Sequence, residues 1–463
     1  MSWASFLTRA FSLILVLPLM VTRFSSADVA LWYLFMTALN FQVLADIGFS
    51  STLVRMFSYA RSGLSINELK TVERTKPEEN AGEFNWDTIE TVWQVMNFVY
   101  KRLGVLLTIF VALSTWFLYH PILRSSDPKS SAIAWGIIII SGFIQLRYST
   151  FSNYLQGMNQ VALVKRWEGI LNLFSILTNC LILYLGGHLL LLVISNQFWA
   201  LVTIARDLVL SRQIANGRYT TLSVKAKYNK LVFASIWPSV WKSGVGTLMG
   251  VGVIQIINLI IADYGSSKQI ASYLLGYNLI RQISTFSQAP FYSRIPSLAQ
   301  LRARGDIKTF TKVMERGMNM SYWAFVLPVI FGGLAGTFGL KYIHSHVNFP
   351  GMLLWGSMGL ALFLERCGAM HIQVYSTSNK IVWHIANGVT GVLVIIFCLL
   401  LKPHVGIYCV PLAMILGNLL CYTWYSMYHS YREFHFDFFK LERRGLIPCL
   451  IIMVSYVFIA FYF

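Results

Sequence analysis

Long apolar runs recur along the whole chain, at roughly 5–22, 28–52, 92–118, 131–155, 161–185, 189–212, 236–262, 268–292, 313–338, 351–376, 381–401, 404–428 and 446–463. Each is long enough, as a helix rising about 1.5 Å per residue, to cross a hydrocarbon core about 30 Å thick. Backbone groups in lipid must pair within their own segment, so these thirteen runs are expected to be helices and not strands. The 463 residues are 56% hydrophobic and only 12% charged, about half the charge share of a soluble domain. The expected class is an all-α polytopic membrane protein.

The net charge is +18, from 37 Lys and Arg against 19 Asp and Glu. Nucleic-acid binding would need those bases on one water-exposed face. Membrane proteins instead collect Lys and Arg in their cytoplasmic loops. With the N-terminus inside, the cytoplasmic loops hold Arg61, Lys70, Arg74 and Lys76; Lys165 and Arg166; and Arg212, Arg218, Lys225, Lys227 and Lys230. They also hold Arg294, Arg302, Arg304, Lys308, Lys312 and Arg316; Lys380; and Arg432, Lys440, Arg443 and Arg444. The outer loops hold only Arg23, Arg124, Lys129, Lys268, Lys341 and Lys402. The bias places the N-terminus in the cytoplasm and, with thirteen spans, the C-terminus outside. No nucleic-acid partner is expected.

The apolar run Phe11–Val21 lacks a clear small-residue cleavage site and another run follows it, so it is taken as the first membrane helix and not a signal peptide. The polar, Glu-rich loop from Arg61 to Glu90 suits either a short interfacial helix or a disordered linker. The six cysteines, Cys180, Cys367, Cys398, Cys409, Cys421 and Cys449, form no CxxC pair and lie in apolar surroundings. A disulfide framework or zinc site is not expected from them, and they are taken as small buried hydrophobes.

Two halves of the chain echo each other. RFSSADVALWYLF from Arg23 parallels DYGSSKQIASYLL from Asp263, and VMNFVYKRLGVLL from Val95 parallels GMNMSYWAFVLPV from Gly317. Trp135-Gly136 and Arg147 in the fourth span match Trp355-Gly356 and Arg366 in the tenth, with Asn159 and Asn379 following. The implied organisation is a six-helix bundle over 1–212, a cytoplasmic linker over 213–235 and a second six-helix bundle over 236–430. A cytoplasmic loop and an extra helix would then occupy 431–463. Equal helix counts make the halves parallel repeats, an arrangement expected to enclose a central cavity and to rock for alternating access.

Ionisable groups at bilayer depth are costly and face cavities or partners. Arg281 lies near the middle of the eighth span, Arg147 and Arg366 about two-thirds of the way through the fourth and tenth, and Lys242 two turns into the seventh. Arg9, Arg55, Arg206 and Arg294 sit nearer span ends, where long side chains snorkel to headgroups. In the eighth span Asn278, Arg281, Gln282, Thr285 and Gln288 share one helical face. In the fourth, Gln145, Tyr148, Ser149, Ser152, Asn153 and Gln156 form a polar stripe, with Arg147 roughly 200° away beside Thr150 and Tyr154. Either face of that span could line a cavity. The acids within spans are Asp46, Glu168, Asp207, Asp263 and Glu365. Asp46 and Glu365 are candidates to carry a coupling proton, against the plainer reading of structural acids paired to bases.

A cavity with more cations than anions prefers an anionic cargo, and guanidinium groups match phosphate oxygens two at a time. The candidate substrate-binding set is Arg281, Arg366, Arg147, Lys242, Arg55, Gln282 and Asn278. His344 and His346 form the one outer cluster of note, and two histidines make a poor metal site. With no large loop, no catalytic acid cluster and no Walker-type phosphate loop, neither an enzyme, direct ATP drive, a metal nor any other cofactor is expected.

The stretch PLMVTRFSSADVALWYLFMTALNFQVLADIGFSSTLVR, residues 18–55, resembles the first two helices of the polysaccharide transporters, members of the multidrug/oligosaccharidyl-lipid/polysaccharide exporter superfamily. The Arg147-to-Asn159 stretch and its echo from Arg366 resemble that family's fourth and tenth helices. These motifs cover some 70 residues, whereas the topology covers most of the chain. The resemblance implies twelve core helices in two bundles, from which the thirteenth span departs. It also implies a bacterial inner-membrane flippase for undecaprenyl-pyrophosphate-linked oligosaccharides such as O-antigen units, working among membrane lipids and beside polysaccharide polymerase machinery. The alternatives are a cation-coupled multidrug exporter of the same fold, for whose cationic cargo an acidic cavity would be expected, and a lipid II flippase.

Overall fold

The computed structural model describes residues 15–61, 85–222, 229–253, 255–257, 266–303, 306–377 and 382–462. Helices and turns make up these residues, with no strand among them. Over its described part, each of the thirteen apolar runs coincides with helix. In chain order the helices are α1 Leu17–Arg23, α2 Ser26–Arg61, α3 Trp86–Leu113, α4 Thr115–Leu123, α5 Pro128–Gly157, α6 Val161–Tyr184, α7 Leu189–Gln213 and α8 Lys230–Thr247. There follow α9 Ser267–Ser287, α10 Ala289–Tyr292, α11 Ile295–Ala303, α12 Ile307–Tyr342, α13 Met352–Ser376, α14 Trp383–Val405, α15 Cys409–Gly417, α16 Thr423–Phe434, α17 Phe438–Glu442 and α18 Leu446–Tyr462. Two π-turns interrupt this series, Leu248–Gly252 directly after α8 and Asn418–Tyr422 between α15 and α16. Most of the Arg61–Glu90 loop lies outside the described residues.

By length and composition, six helical stretches among the described residues are apolar enough to cross a membrane: α3, α5, α6, α7, α12 and the run Trp383–Phe434. That last run turns back at Gly406, whose φ of 55° only glycine adopts readily. The 36-residue α2, 21-residue α9 and 25-residue α13 fall outside this set. They carry Asp46, Arg281 and the Glu365–Arg366 pair respectively. The 17-residue α18 would reach about 25 Å, a little short of the core thickness.

The chain forms two compact units, Met1–Gly244 and Val245–Phe463, and the boundary falls inside α8. In the first unit α5 is the central helix, packing against α2, α3, α4, α6 and α7. Trp135 stacks on Phe35 at 5.4 Å between ring centres, and its indole N–H donates to Thr115 Oγ1 at 2.8 Å. The helix ends are capped from the sequence. Asn85 accepts from Thr88 N at 3.0 Å to start α3, and Asp127 accepts from Lys129 and Ser130 N at 3.2 Å each to start α5.

Asp127 also accepts from the Ser130 hydroxyl, and that bond, with the backbone ones, holds its carboxyl below the ordinary value of 3.8. A depressed folded-state pKa gives stability that is whole above the unfolded value and is lost as pH falls through the folded one. Asp127→Ala is therefore expected to lower the unfolding temperature at neutral pH, with the gap to the parent closing once the pH falls well below 3.8. Thermal unfolding of both proteins across pH 7 to roughly 2 checks this.

In the second unit α13 is the central helix and is buried along almost its whole length. It packs against α9, α12, α15, α16 and α18. Trp355, fully buried, donates to Val329 O at 2.8 Å. The extra helix α18 lies on a glycine face of α13, where Tyr456 and Met453 would meet a Cβ at Gly356 or Gly359 within about 3 Å.

Candidate functional site

Each unit carries its own polar cluster at the depth of its apolar helices. In the first unit α2, α3 and α5 contribute. The Tyr100 hydroxyl donates to Asp46 Oδ1, and Asn153 Nδ2 donates to the Tyr100 oxygen at 2.6 Å. Ser50 Oγ donates to Asn153 Oδ1 at 2.6 Å. Tyr100 and Asn153 are buried whereas Asp46 is half-buried, so the carboxylate stands at the open end of the relay. Asp46 thus has a hydrogen-bond partner, Tyr100, that holds it in place, and is not fully enclosed. Such a chain of donors and acceptors can reorient when the carboxylate changes charge.

One turn before Tyr100 on α3, Asn97 Oδ1 accepts from Arg147 Nη1 at 2.9 Å. Arg147 is half-buried and stands 5.9 Å from the centre of the Tyr148 ring. The polar stripe of α5 divides its duties. Gln145 donates to Gln197 Oε1 on α7 at 2.9 Å, while Asn153 serves the Asp46 relay. The side chains of Arg55 and Lys242 lie outside the described residues, as do Arg9, Asp263 and Asn379. Arg206 and Asp207, adjacent in sequence, are paired at 2.5 Å and are both largely buried.

In the second unit the candidate residues converge from α9 and α13. Arg281 Nη1 meets Glu365 Oε1 at 3.0 Å, with side-chain exposures of 37% and 32%. The pair is ordered and yet open on one side. Arg366, next to Glu365 in sequence, is 4% exposed. Its Nη2 donates to the Ser284 carbonyl and, at 2.5 Å, to the Ser284 hydroxyl. Residues 281 and 284 are one turn apart on α9, so that helix receives the carboxylate at one level and the second guanidinium at the next.

Two cations against one carboxylate leave this cluster with a surplus positive charge. Asn278 donates back to its own helix at Leu274 O, 2.7 Å, and Gln282 keeps Oε1 without a partner among the described residues. All five stripe residues, Asn278, Arg281, Gln282, Thr285 and Gln288, are half-buried, and Ile280, Ser284 and Ser287 on the opposite flank are buried.

Beside Glu365 lies a cavity of about 110 Å³. Its wall is Glu365 with Asn387, Thr390, Gly391 and Val394 of α14, Met414 of α15, Asn418 and Tyr422 of one π-turn, Met249 of the other, and Val253. Thr390 Oγ1 has no hydrogen-bond partner among the described residues. An unpartnered polar atom on a cavity wall is a place for water or a ligand oxygen. π-Turns recur at functional positions, because the extra residue turns side chains out of helical register. Tyr100, Ser284, Asn387, Thr390, Asn418 and Tyr422 were not singled out from the sequence. The one available signal was the polarity of Asn387 and Asn418 within otherwise apolar runs.

No family profile and no curated protein matches the chain. Solved structures do. The fold is similar to that of the lipid II flippase MurJ in an inward closed conformation, at a TM-score of 0.59 and 13% identity, covering 100% of this chain and 91% of that one. It is similar to an inward-facing multidrug-resistance MATE transporter of the MOP superfamily, at 0.61 and 12%, covering 92% and 98%. A eukaryotic MATE transporter aligns at 0.51 and 11%, over 98% and 99%. At such identities the likeness is one of fold alone: this chain shares the helical architecture of these structures.

Proposed function

We propose that this protein is a flippase of the bacterial inner membrane. It would carry undecaprenyl-pyrophosphate-linked oligosaccharide units from the cytoplasmic to the outer leaflet by alternating access, for surface polysaccharide synthesis. The observation that carries the proposal is the Arg281–Glu365 pair, partly open and backed by buried Arg366, on helices α9 and α13. A site with surplus cationic charge at that depth favours an anion. The fold similarity to MurJ and MATE transporters supports a transport role.

In this mechanism a phosphate of the cargo takes the place of Glu365 on the Arg281 guanidinium, accepting two N–H bonds where the carboxylate accepted one. The freed Glu365 carboxylate faces the cavity beside it and takes up a proton there, which removes the charge it would otherwise hold unpaired. Within the first unit, Arg147 with its neutral partner Asn97 is the candidate cation and Asp46 with Tyr100 the candidate proton carrier. Lys242 and Arg55 extend the cationic set by sequence position. The polyprenyl tail stays in lipid. The N-terminus is cytoplasmic and polysaccharide polymerase machinery is the downstream partner.

A second reading, a lipid II flippase, draws on the alignment with MurJ over the whole chain. Deletion of the gene separates the readings. Loss of surface polysaccharide, with lipid-linked oligosaccharide retained in the cytoplasmic leaflet and drug susceptibility unchanged, is the expected outcome. Accumulated lipid II with normal polysaccharide would favour the second reading. Altered susceptibility to cationic drugs with normal polysaccharide would replace both by an exporter.

A further inference from the structure

The hairpin that forms one wall of the Glu365 cavity holds a pair of sulfur atoms in contact. Cys398 on α14 and Cys409, the first residue of α15, lie with their Sγ atoms 3.6 Å apart. Both are buried, at 7% and 1% exposure. A disulfide brings its sulfurs to about 2.05 Å, so each would move by under about 1 Å. The two residues are eleven apart, and the chain between them turns at Gly406, so the contact is local and forms with the hairpin itself. Lys402 stands one helical turn beyond Cys398, and loop charge places that turn on the outer side of the membrane. Outer surfaces are oxidising, and thiols there are held as disulfides.

We infer that Cys398 and Cys409 are a disulfide-forming pair that, once oxidised, staples the outer end of the α14–α15 hairpin. The inference rests on the outward placement of the hairpin and on no assumption about the cargo. The reaction is thiol–disulfide exchange with an external protein disulfide. The Cys409 thiolate attacks that disulfide and expels one of its thiols. The Cys398 thiolate then displaces the second, forming the Cys398–Cys409 bond. Two S–H bonds are lost here, two form on the acceptor, and the acceptor takes up two electrons. Because both sulfurs are buried in the packed bundle, exchange happens as the hairpin emerges and before its neighbours close on it.

The consequence is mechanical. Val394 lies one turn from Cys398, Met414 about one turn from Cys409, and both line the cavity. A stapled hairpin moves as one piece, so the α14 and α15 sides of the cavity open and close together.

Cells making the full-length protein are treated with membrane-permeant N-ethylmaleimide before lysis, and the protein is purified without reductant, denatured in fresh N-ethylmaleimide so that every buried thiol is alkylated, and digested. The expected result is a peptide pair linked through Cys398 and Cys409, lighter by two hydrogens than its reduced components, with Cys180 fully alkylated. Cys398→Ser removes the linked pair and leaves Cys409 alkylated. Quantitative maleimide on both Cys398 and Cys409 of the unreduced protein overturns the inference. The staple has its own readout. Dithiothreitol is expected to lower the unfolding temperature of the parent and leave the Cys398→Ser, Cys409→Ser protein unmoved. An equal shift in both overturns the mechanical role.

Discussion

Arg281→Gln is expected to cut surface polysaccharide display at least tenfold while leaving the amount of protein in the membrane unchanged. The argument starts from geometry. Arg281 is more than a third exposed and bonds Glu365 through one nitrogen, so it holds its fold only lightly and keeps donors for a second partner. A hydrogen bond to a charged group contributes about 1.5–3 kcal/mol, which corresponds to roughly ten- to a hundredfold in affinity. Gln keeps the length and polarity and removes the charge and the forked donors. Glu365→Gln alone is expected to leave cargo binding in place and to slow turnover, because the proposed proton carrier is lost. The double variant separates the two effects: its cargo binding should match Arg281→Gln. Full complementation of a deletion strain by Arg281→Gln would remove the basis for an anionic cargo. Arg366 is a poorer first target, because its burial against Ser284 entangles any loss of transport with a loss of packing.

Gly391→Leu is expected to destabilise the protein by about 3 kcal/mol, the upper end of the usual cost of overpacking, and to abolish transport. A Cβ at Gly391 would stand 2.7 Å from the Met249 carbonyl oxygen and 2.9 Å from Met249 Cβ. The obstacle is backbone and the stem of a side chain, which no rotamer change relieves. Helix α14 would have to lift off the Leu248–Gly252 turn, opening the cavity that both line. Gly388 is the control, one turn away on the same helix, where a Cβ would meet nothing within 4 Å. Gly388→Leu should behave like the parent in detergent thermal unfolding, and Gly391→Leu should melt several degrees lower. Equal melting of the two would show that α14 does not rely on this close approach.

How far the sequence reveals these features depends on the range of the interaction behind each. The helices were legible because a bilayer imposes one rule everywhere, and twenty apolar residues obey it locally. The stripe on α9 was legible for the same reason, since residues three and four apart share a face. Pairing was not. Arg206 and Asp207, neighbours in sequence, do pair at 2.5 Å, whereas Glu365 and Arg366, also neighbours, each turn to a different level of α9. Nothing in the local sequence separates the two cases, because the choice is made by a helix 84 residues away. Burial was equally hidden. Arg281 and Arg366 look alike as intramembrane cations, yet one is exposed by a third and the other scarcely at all. The Asp46–Tyr100–Asn153 relay joins three spans, and of its members only Asp46 and Asn153 drew attention through their own polarity. All six cysteines are free, and the contact between Cys398 and Cys409 was not legible because their spacing fits no metal or framework pattern.

The two π-turns on the cavity wall, Leu248–Gly252 and Asn418–Tyr422, each accommodate one residue more than the α-helix around them would. An inserted residue of this kind is slack already built into the rod. Passing it along by a turn shifts everything on one side by a single position and rotates it by about 100°, with each hydrogen bond re-formed one step on. Asn418 and Tyr422 are thereby carried on a segment able to re-index against Glu365 without melting. Amide hydrogen exchange provides the measure: residues 248–252 and 418–422 should exchange faster than the α-helical turns on either side, and matched protection across those turns would mean the slack is frozen.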